Sequence, residues 1–275
     1  MSQDLSGRIE EAARFLRGKW GKTPRAGVIL GTGLGSFAAR MQVEARVPYE
    51  EIPHFSVSTV ESHAGELLLG RIGGHDCVVM SGRLHFYEGY SMEQVTFPVR
   101  VMRALGAPLL LVSNAVGGLN PLLRLGDIFV TTDHINLMGA NPLIGPNDER
   151  LGPRFPDMSE PYTRAHVDRL EAIALEERIP IQRGVFVAVA GPNLETRAEY
   201  RFLRGIGADV VGMSLIPEVL VAVHGGMEVA ALSVVTDLCL PDALEAANIE
   251  RILKVAADAE PRLTRLVERF LGDLA

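Results

Sequence analysis

The chain has 275 residues, 47% hydrophobic and 22% charged, with a formal net charge of -7. No stretch approaches the ~18 to 20 uninterrupted apolar residues of a membrane span, so a compact soluble protein is expected. The acidic balance argues against a nucleic-acid binder that works by phosphate neutralisation, and any anionic ligand has to be gripped locally by a few Arg, His and backbone N–H groups.

Met1 to Glu11 lacks a basic region followed by an apolar core, so no secretory signal is read and the cytoplasm is the expected compartment. Residues 6 to 19 place Ile9, Ala12, Ala13 and Leu16 at helical spacing, and Pro24 separates that helix from a buried strand over 26 to 30. Strands are expected at 66 to 72 and 77 to 80 around the turn at 73 to 76. A helix is expected over 91 to 105 despite Pro98, then strands at 109 to 112 and 128 to 131. Residues 139 to 161, rich in Pro, Gly and Asn, read as a long functional loop. Beyond it helices (163 to 178, 195 to 206, 216 to 224, 245 to 271) alternate with strands (184 to 190, 208 to 212, 227 to 235). This alternation predicts an α/β protein with a parallel or mixed sheet covered by helices. With no repeat, linker or low-complexity segment, residues 1 to 275 are read as one domain. Cys77 and Cys239, flanked by apolar residues, read as reduced buried thiols rather than a disulfide or metal site.

Candidate chemistry sits where strands end. Gly31-Thr-Gly-Leu-Gly follows the first strand and suits a phosphate cradle or a plain tight turn, with Thr32 as an added donor. Its third glycine comes one residue too early for a dinucleotide fingerprint, and Gly21-Lys22-Thr23 fails as a P-loop because Leu16 occupies the required glycine position. The segment Ser81 to Gly89 packs Arg83, His85, Tyr87 and Glu88 into six residues: a planar fork for phosphate, an oxyanion donor and a flat wall for a sugar, or else a solvated turn with an ion pair. His63, in a small-residue turn, is a second donor or a structural histidine. Ser113 to Leu119 reads as a glycine turn at a strand end. Glu195 is placed in the first turn of a helix, as a cap or as an acceptor for a base edge. Met213, Ser214 and Asp237 close further strands, and these strand ends point to one shared crevice.

Together these segments resemble the trimeric purine nucleoside phosphorylases. The match runs through Gly82 to Tyr90, Val95 to Arg100, Asp133 to Asn136, Asn141 to Glu149 and Gly207 to Ser214. The resemblance implies a single α/β domain around a mixed, partly barrelled sheet, and a homotrimer with an active site near each subunit interface. It implies phosphorolysis of purine nucleosides to a free base and a pentose 1-phosphate, with inorganic phosphate as co-substrate and no metal or organic cofactor. Thr32, His63, Arg83, His85, Ala115 (through its backbone) and Ser214 correspond to the phosphate site. Tyr87, Met213, Ile249 and, from a neighbouring subunit, Phe155 correspond to the sugar site. Phe186, Leu194, Glu195 and Asp237 correspond to the base pocket, with His85, Glu195 and Asp237 as the catalytic set.

Three positions depart from the relatives selective for 6-oxopurines, which usually carry Asn, Phe and His where this chain has Asp237, Leu194 and Ile249. Asp237 accepts from a 6-amino group and, when protonated, donates to N7, so adenine nucleosides are admitted. Asp237, Ile249 and the segment Asn248 to Lys254 lean toward 5'-methylthioadenosine phosphorylase, whereas Glu195 suits the N1–H of hypoxanthine or guanine. A hydrolytic nucleosidase or a catalytically silent nucleoside-binding protein are the rivals from other classes.

Overall fold

Strand β1 (Ala26–Leu30) is buried at all five positions and pairs in parallel with a strand on either side, which explains its unbroken apolar run. The computed structural model describes residues 4–31, 37–57 and 65–274. Among them, helix α1 (Leu5–Lys19) precedes β1, capped by Asp4, whose side chain accepts from the Gly7 N–H. After β1 come the short α2 (Phe37–Arg40), β2 (Gln42–Pro48), β3 (Glu66–Ile72), β4 (His75–Ser81), α3 (Met92–Ala104), β5 (Leu109–Gly118) and β6 (Ile128–Leu137). The chain continues through α4 (Arg164–Glu176), β7 (Ile181–Val189), α5 (Arg197–Gly205), β8 (Val210–Gly212), α6 (Ile216–His224), β9 (Glu228–Leu238) and α7 (Ile249–Gly272).

The sheet runs β2-β3-β4-β1-β5-β8-β7-β6-β9, and β9 pairs back onto β5. Five strands, β5, β8, β7, β6 and β9, therefore close a small barrel, and β1 to β4 extend from it as an open wing. The pairing is mixed: β1 is parallel to β4 and β5, and β5 to β9, whereas β5–β8 and β6–β9 are antiparallel. The closed strands remove their exposed edges, and helices cover the wing.

Several boundaries differ from the sequence expectation. Ser113 to Gly118 is not a turn: β5 runs on through it, paired to β9 as far as Gly118 opposite Leu238, with a register shift at Val116/Gly117. Likewise β6 continues to Leu137 along β7. The extension of β5 into polar and small residues runs along β9, joined by β8 at Gly117 and Gly118, and that of β6 runs along β7. Helix α7 begins at Ile249, not 245, and Asn248 is its cap, its side chain accepting from the Arg251 N–H over 2.9 Å. The edge strand β2 was not anticipated, although Gln-Val-Glu-Ala-Arg-Val alternates with period two.

Candidate active site

One cavity of about 230 Å³ opens at the ends of β4, β5, β8 and β9. Its walls carry Arg83, His85, Tyr87, Ala115, Leu194, Glu195, Met213, Ser214 and Asp237, nine of the residues expected from the sequence.

The anion-binding half is built around Arg83, which follows β4 and is 1% exposed. Its Nη1 donates to Ser214 Oγ over 2.8 Å, and Asn114 Nδ2 donates to the same hydroxyl over 3.3 Å. Asn114 is itself fixed by Ser233 Oγ, which donates to its Oδ1 over 2.6 Å. Beneath Arg83 lies the equally buried Glu218 of α6, with Oε1 3.4 Å from Arg83 Nε. Burial pulls the guanidinium below its ordinary pKa, and Glu218 opposes that pull. Ser214 is followed by Leu215 at φ 75°, a left-handed conformation costly for a non-glycine residue, as α6 starts immediately after it. His85 is oriented by Glu88, whose Oε1 lies 3.1 Å from Nδ1 and accepts from the His85 backbone N–H over 2.7 Å. The imidazole stacks on Tyr87 with centroids 4.6 Å apart.

The other half holds two carboxyls. Asp237 Oδ1 accepts from Thr236 Oγ1 over 3.3 Å, and Oδ2 accepts from Cys239 Sγ over 3.2 Å. Burial raises the Asp237 pKa. Burial also raises that of Glu195, with the charge of Asp237 adding to the effect. Glu195 is not in the first turn of α5: it precedes the cap, and Thr196 with Glu199 forms the capping box, leaving Glu195 for the cavity. Gly191, at φ 66°, lets this loop pass Met213 closely, since a Cβ there would lie 2.3 Å from Met213 Sδ. Among the described residues, no group of three or more His, Cys, Asp or Glu side chains is arranged to hold a metal.

A family model described as the phosphorylase superfamily matches residues 25–272. The chain is 48% identical to purine nucleoside phosphorylase 1 of Bacillus subtilis over 268 residues, 98% of this chain and 99% of that one. The chain belongs to the purine nucleoside phosphorylase family. A Schistosoma purine nucleoside phosphorylase solved with hypoxanthine superposes with a TM-score of 0.94 at 38% identity, over the whole of both chains. The Schistosoma mansoni purine nucleoside phosphorylase solved with adenosine gives 0.93 at 38% identity, over 98% of each chain.

Not every family position falls on the cavity wall. Phe186 is fully buried in β7, behind the wall: a Cβ on cavity-lining Gly212 would come within 2.9 Å of its Cζ. Phe155 is 87% exposed and stands away from the cavity of its own chain. Its loop is braced from within, Arg154 Nη1 donating to Gly145 O over 2.7 Å and Asn147 Nδ2 to Gly152 O over 3.1 Å. Ile249 is 63% exposed at the start of α7, and the isoleucine of that helix that lines the cavity is Ile252, one turn on. Thr32 and His63 lie outside the described residues. Sequence reasoning missed Asn114, Glu218, Thr236, Tyr200 and Cys239. Asn114 sits inside the segment Ser113 to Leu119, whereas Cys239 reads as a packing thiol and only its position beside Asp237 gives it away. No helix among the described residues is long and apolar enough to cross a membrane.

Proposed function

We propose that this chain cleaves the N-glycosidic bond of purine nucleosides with inorganic phosphate, releasing the base and a pentose 1-phosphate. The observation that carries this reading is the meeting of the Arg83–Ser214–Asn114 cluster and the Asp237–Glu195 pair in one cavity, with Tyr87 and Met213 on the same walls. Arg83, Ser214, His85 and the Ala115 backbone grip the phosphate, joined by Thr32 and His63. With Nδ1 engaged by Glu88, His85 turns Nε2 to the anion. As the bond to the base breaks, positive charge grows on the sugar and negative charge on the purine. Phosphate held beside the ring answers the first, and a proton donated by Asp237 to N7 answers the second. Each positioned donor in such a site is worth ~3 to 4 kcal/mol of barrier. Tyr87 and Met213 flank the sugar, Leu194 bounds the base, Phe186 backs that wall from behind Gly212, and Glu195 reads the N1 edge. The reaction needs no cofactor.

The working assembly is a homotrimer in which Phe155 covers the sugar of the neighbouring site, which accounts for a braced loop presenting an exposed phenyl ring. Two buried, unbridged thiols suit a reducing cytoplasm. A preference for 5'-methylthioadenosine is not favoured, because Ile249 does not line the cavity and the close relatives carry the name purine nucleoside phosphorylase. Measuring kcat/KM for inosine, guanosine, adenosine and methylthioadenosine with phosphate tests the reading. Turnover of several purine nucleosides is expected, and exclusive turnover of methylthioadenosine overturns it.

A further inference from the structure

Ser214 stands at the end of a line of hydrogen bonds that begins off the cavity. Ser233 of β9 is fully buried, does not line the cavity, and sits directly across from Asn114 in the β5–β9 ladder. Its hydroxyl donates to Asn114 Oδ1 over 2.6 Å, Asn114 Nδ2 donates to Ser214 Oγ over 3.3 Å, and Arg83 Nη1 donates to the same oxygen over 2.8 Å. Asn114 is held from the β1 side as well, since a Cβ at Gly31 would come within 2.6 Å of its Cα.

The direction of each bond follows from what the groups can give and take. A separation of 2.6 Å suits an O–H···O bond and is short for N–H···O, which sets the amide oxygen of Asn114, not its nitrogen, against Ser233. The reversed amide would also leave the buried Ser233 hydroxyl hydrogen without an acceptor among the described residues, a costly state for a buried donor. With Oδ1 taken by Ser233, Nδ2 faces Ser214. A serine hydroxyl has two lone pairs and one hydrogen. Both lone pairs of Ser214 are filled, by Arg83 and by Asn114, so its hydrogen is left for the cavity whose wall it forms.

We propose that Ser233 is a positioning residue for the anion site: through Asn114 it fixes the Ser214 hydroxyl as a hydrogen-bond donor to the bound oxyanion. The proposal rests on the phosphate reading above. Arg83 and Ser214 then present only hydrogens to the anion, so this wall takes oxygens that carry no proton, such as those of sulfate and of dianionic phosphate. Without Ser233 the amide is free to turn, and an Oδ1 facing Ser214 draws the hydrogen away from the anion. The group that decides this sits inside the barrel, two hydrogen bonds from the Ser214 hydroxyl hydrogen and out of reach of any substrate.

Sulfate, an unprotonated stand-in for phosphate, is the binding probe. Its affinity by calorimetry, and the KM values for phosphate and for inosine, are measured in the wild type, Ser233→Ala, Ser214→Ala and the double variant. Ser233→Ala is expected to weaken sulfate and to raise the phosphate KM by about fivefold, with the inosine KM changed by less than about twofold. In the double variant the loss stays at that of Ser214→Ala alone, about tenfold, because Ser233 acts through the hydroxyl already removed. Losses that multiply, to about fiftyfold, mark a role in packing and overturn the proposal. An unchanged sulfate affinity in Ser233→Ala, or an equal rise in both KM values, overturns it too. Ser233→Cys, close in size and still a weak donor, serves where the alanine variant does not fold. It is expected to weaken sulfate less than Ser214→Ala does and to add nothing to Ser214→Ala, and a further loss in that combination overturns the proposal. A chain that binds sulfate with these non-multiplying losses yet forms no pentose 1-phosphate sinks the phosphorolysis reading and leaves the role of Ser233 standing.

Discussion

Arg83 Nη1 donates to Ser214 Oγ over 2.8 Å, tying the end of β4 to the start of α6 across 131 positions of sequence. The side chain that offers phosphate a planar fork is thereby fixed by a hydroxyl of the same site. Arg83→Ala is expected to lower kcat/KM by about 10²- to 10³-fold, with the larger part in the KM for phosphate. Ser214→Ala leaves the charge in place and is expected to cost about tenfold. Initial rates at varied phosphate check both, and an unchanged phosphate KM in Arg83→Ala contradicts the assignment.

Glu218 holds Arg83 from below, and the two side chains are each 2% exposed. Removing one partner of such a pair leaves the other charge buried without compensation, so Glu218→Ala is expected to lose about 3 to 5 kcal/mol of stability. Denaturant unfolding of the variant beside the wild type measures it. A loss below about 1 kcal/mol, the range of exposed ion pairs, contradicts the picture.

For Asp237 the sign of the pH effect follows from burial. Its folded pKa is raised above the ordinary value of 3.8, so within the window from 3.8 up to the folded pKa the folded state binds more protons than the unfolded one. This carboxyl's contribution to stability is therefore fully present below pH 3.8 and is lost as pH rises through that window. Asp237→Asn is expected to abolish this part of the pH dependence, seen as a flatter profile of unfolding midpoints above pH 3.8. The same substitution raises inosine over adenosine in kcat/KM, because the amide offers a fixed donor to a 6-oxopurine. An unchanged ratio counts against Asp237 as a base-reading group.

Phe155 gives a test of assembly. Phe155→Ala is expected to raise the KM for nucleoside while sparing that for phosphate, since its ring stands away from the cavity of its own chain. Mixed trimers of Phe155→Ala with Arg83→Ala subunits are expected to regain activity, because some sites then combine an intact Arg83 with a neighbour's intact Phe155. Additive inactivation on mixing, or a monomer in light scattering, contradicts the shared site.

Much of this site was legible because α/β folds place ligands at strand ends, and strand ends are marked by apolar runs that break into small and polar residues. Arg83, His85, Ser214 and Asp237 were reached in that way. The closing of the barrel was not legible from periodicity: the parallel β5–β9 and antiparallel β6–β9 pairings each join segments more than a hundred residues apart, and only the family resemblance implied a barrelled sheet. Ser113 to Gly118 reads as a turn because glycine and asparagine weaken any strand signal, yet its ladder with β9, joined by β8 at Gly117 and Gly118, holds it extended. Cys239 and Tyr200 were missed because a buried thiol and a helix tyrosine look like core until Asp237 is seen beside them.

The central claim is that a phosphate held by Arg83, His85 and Ser214 attacks the anomeric carbon. Following base release from inosine in rigorously phosphate-free buffer, then on titrating phosphate back in, tests it most directly. The account predicts negligible release without phosphate and saturable release with it, accompanied by stoichiometric pentose 1-phosphate. Undiminished release in phosphate-free buffer, with free ribose as the second product, would contradict it.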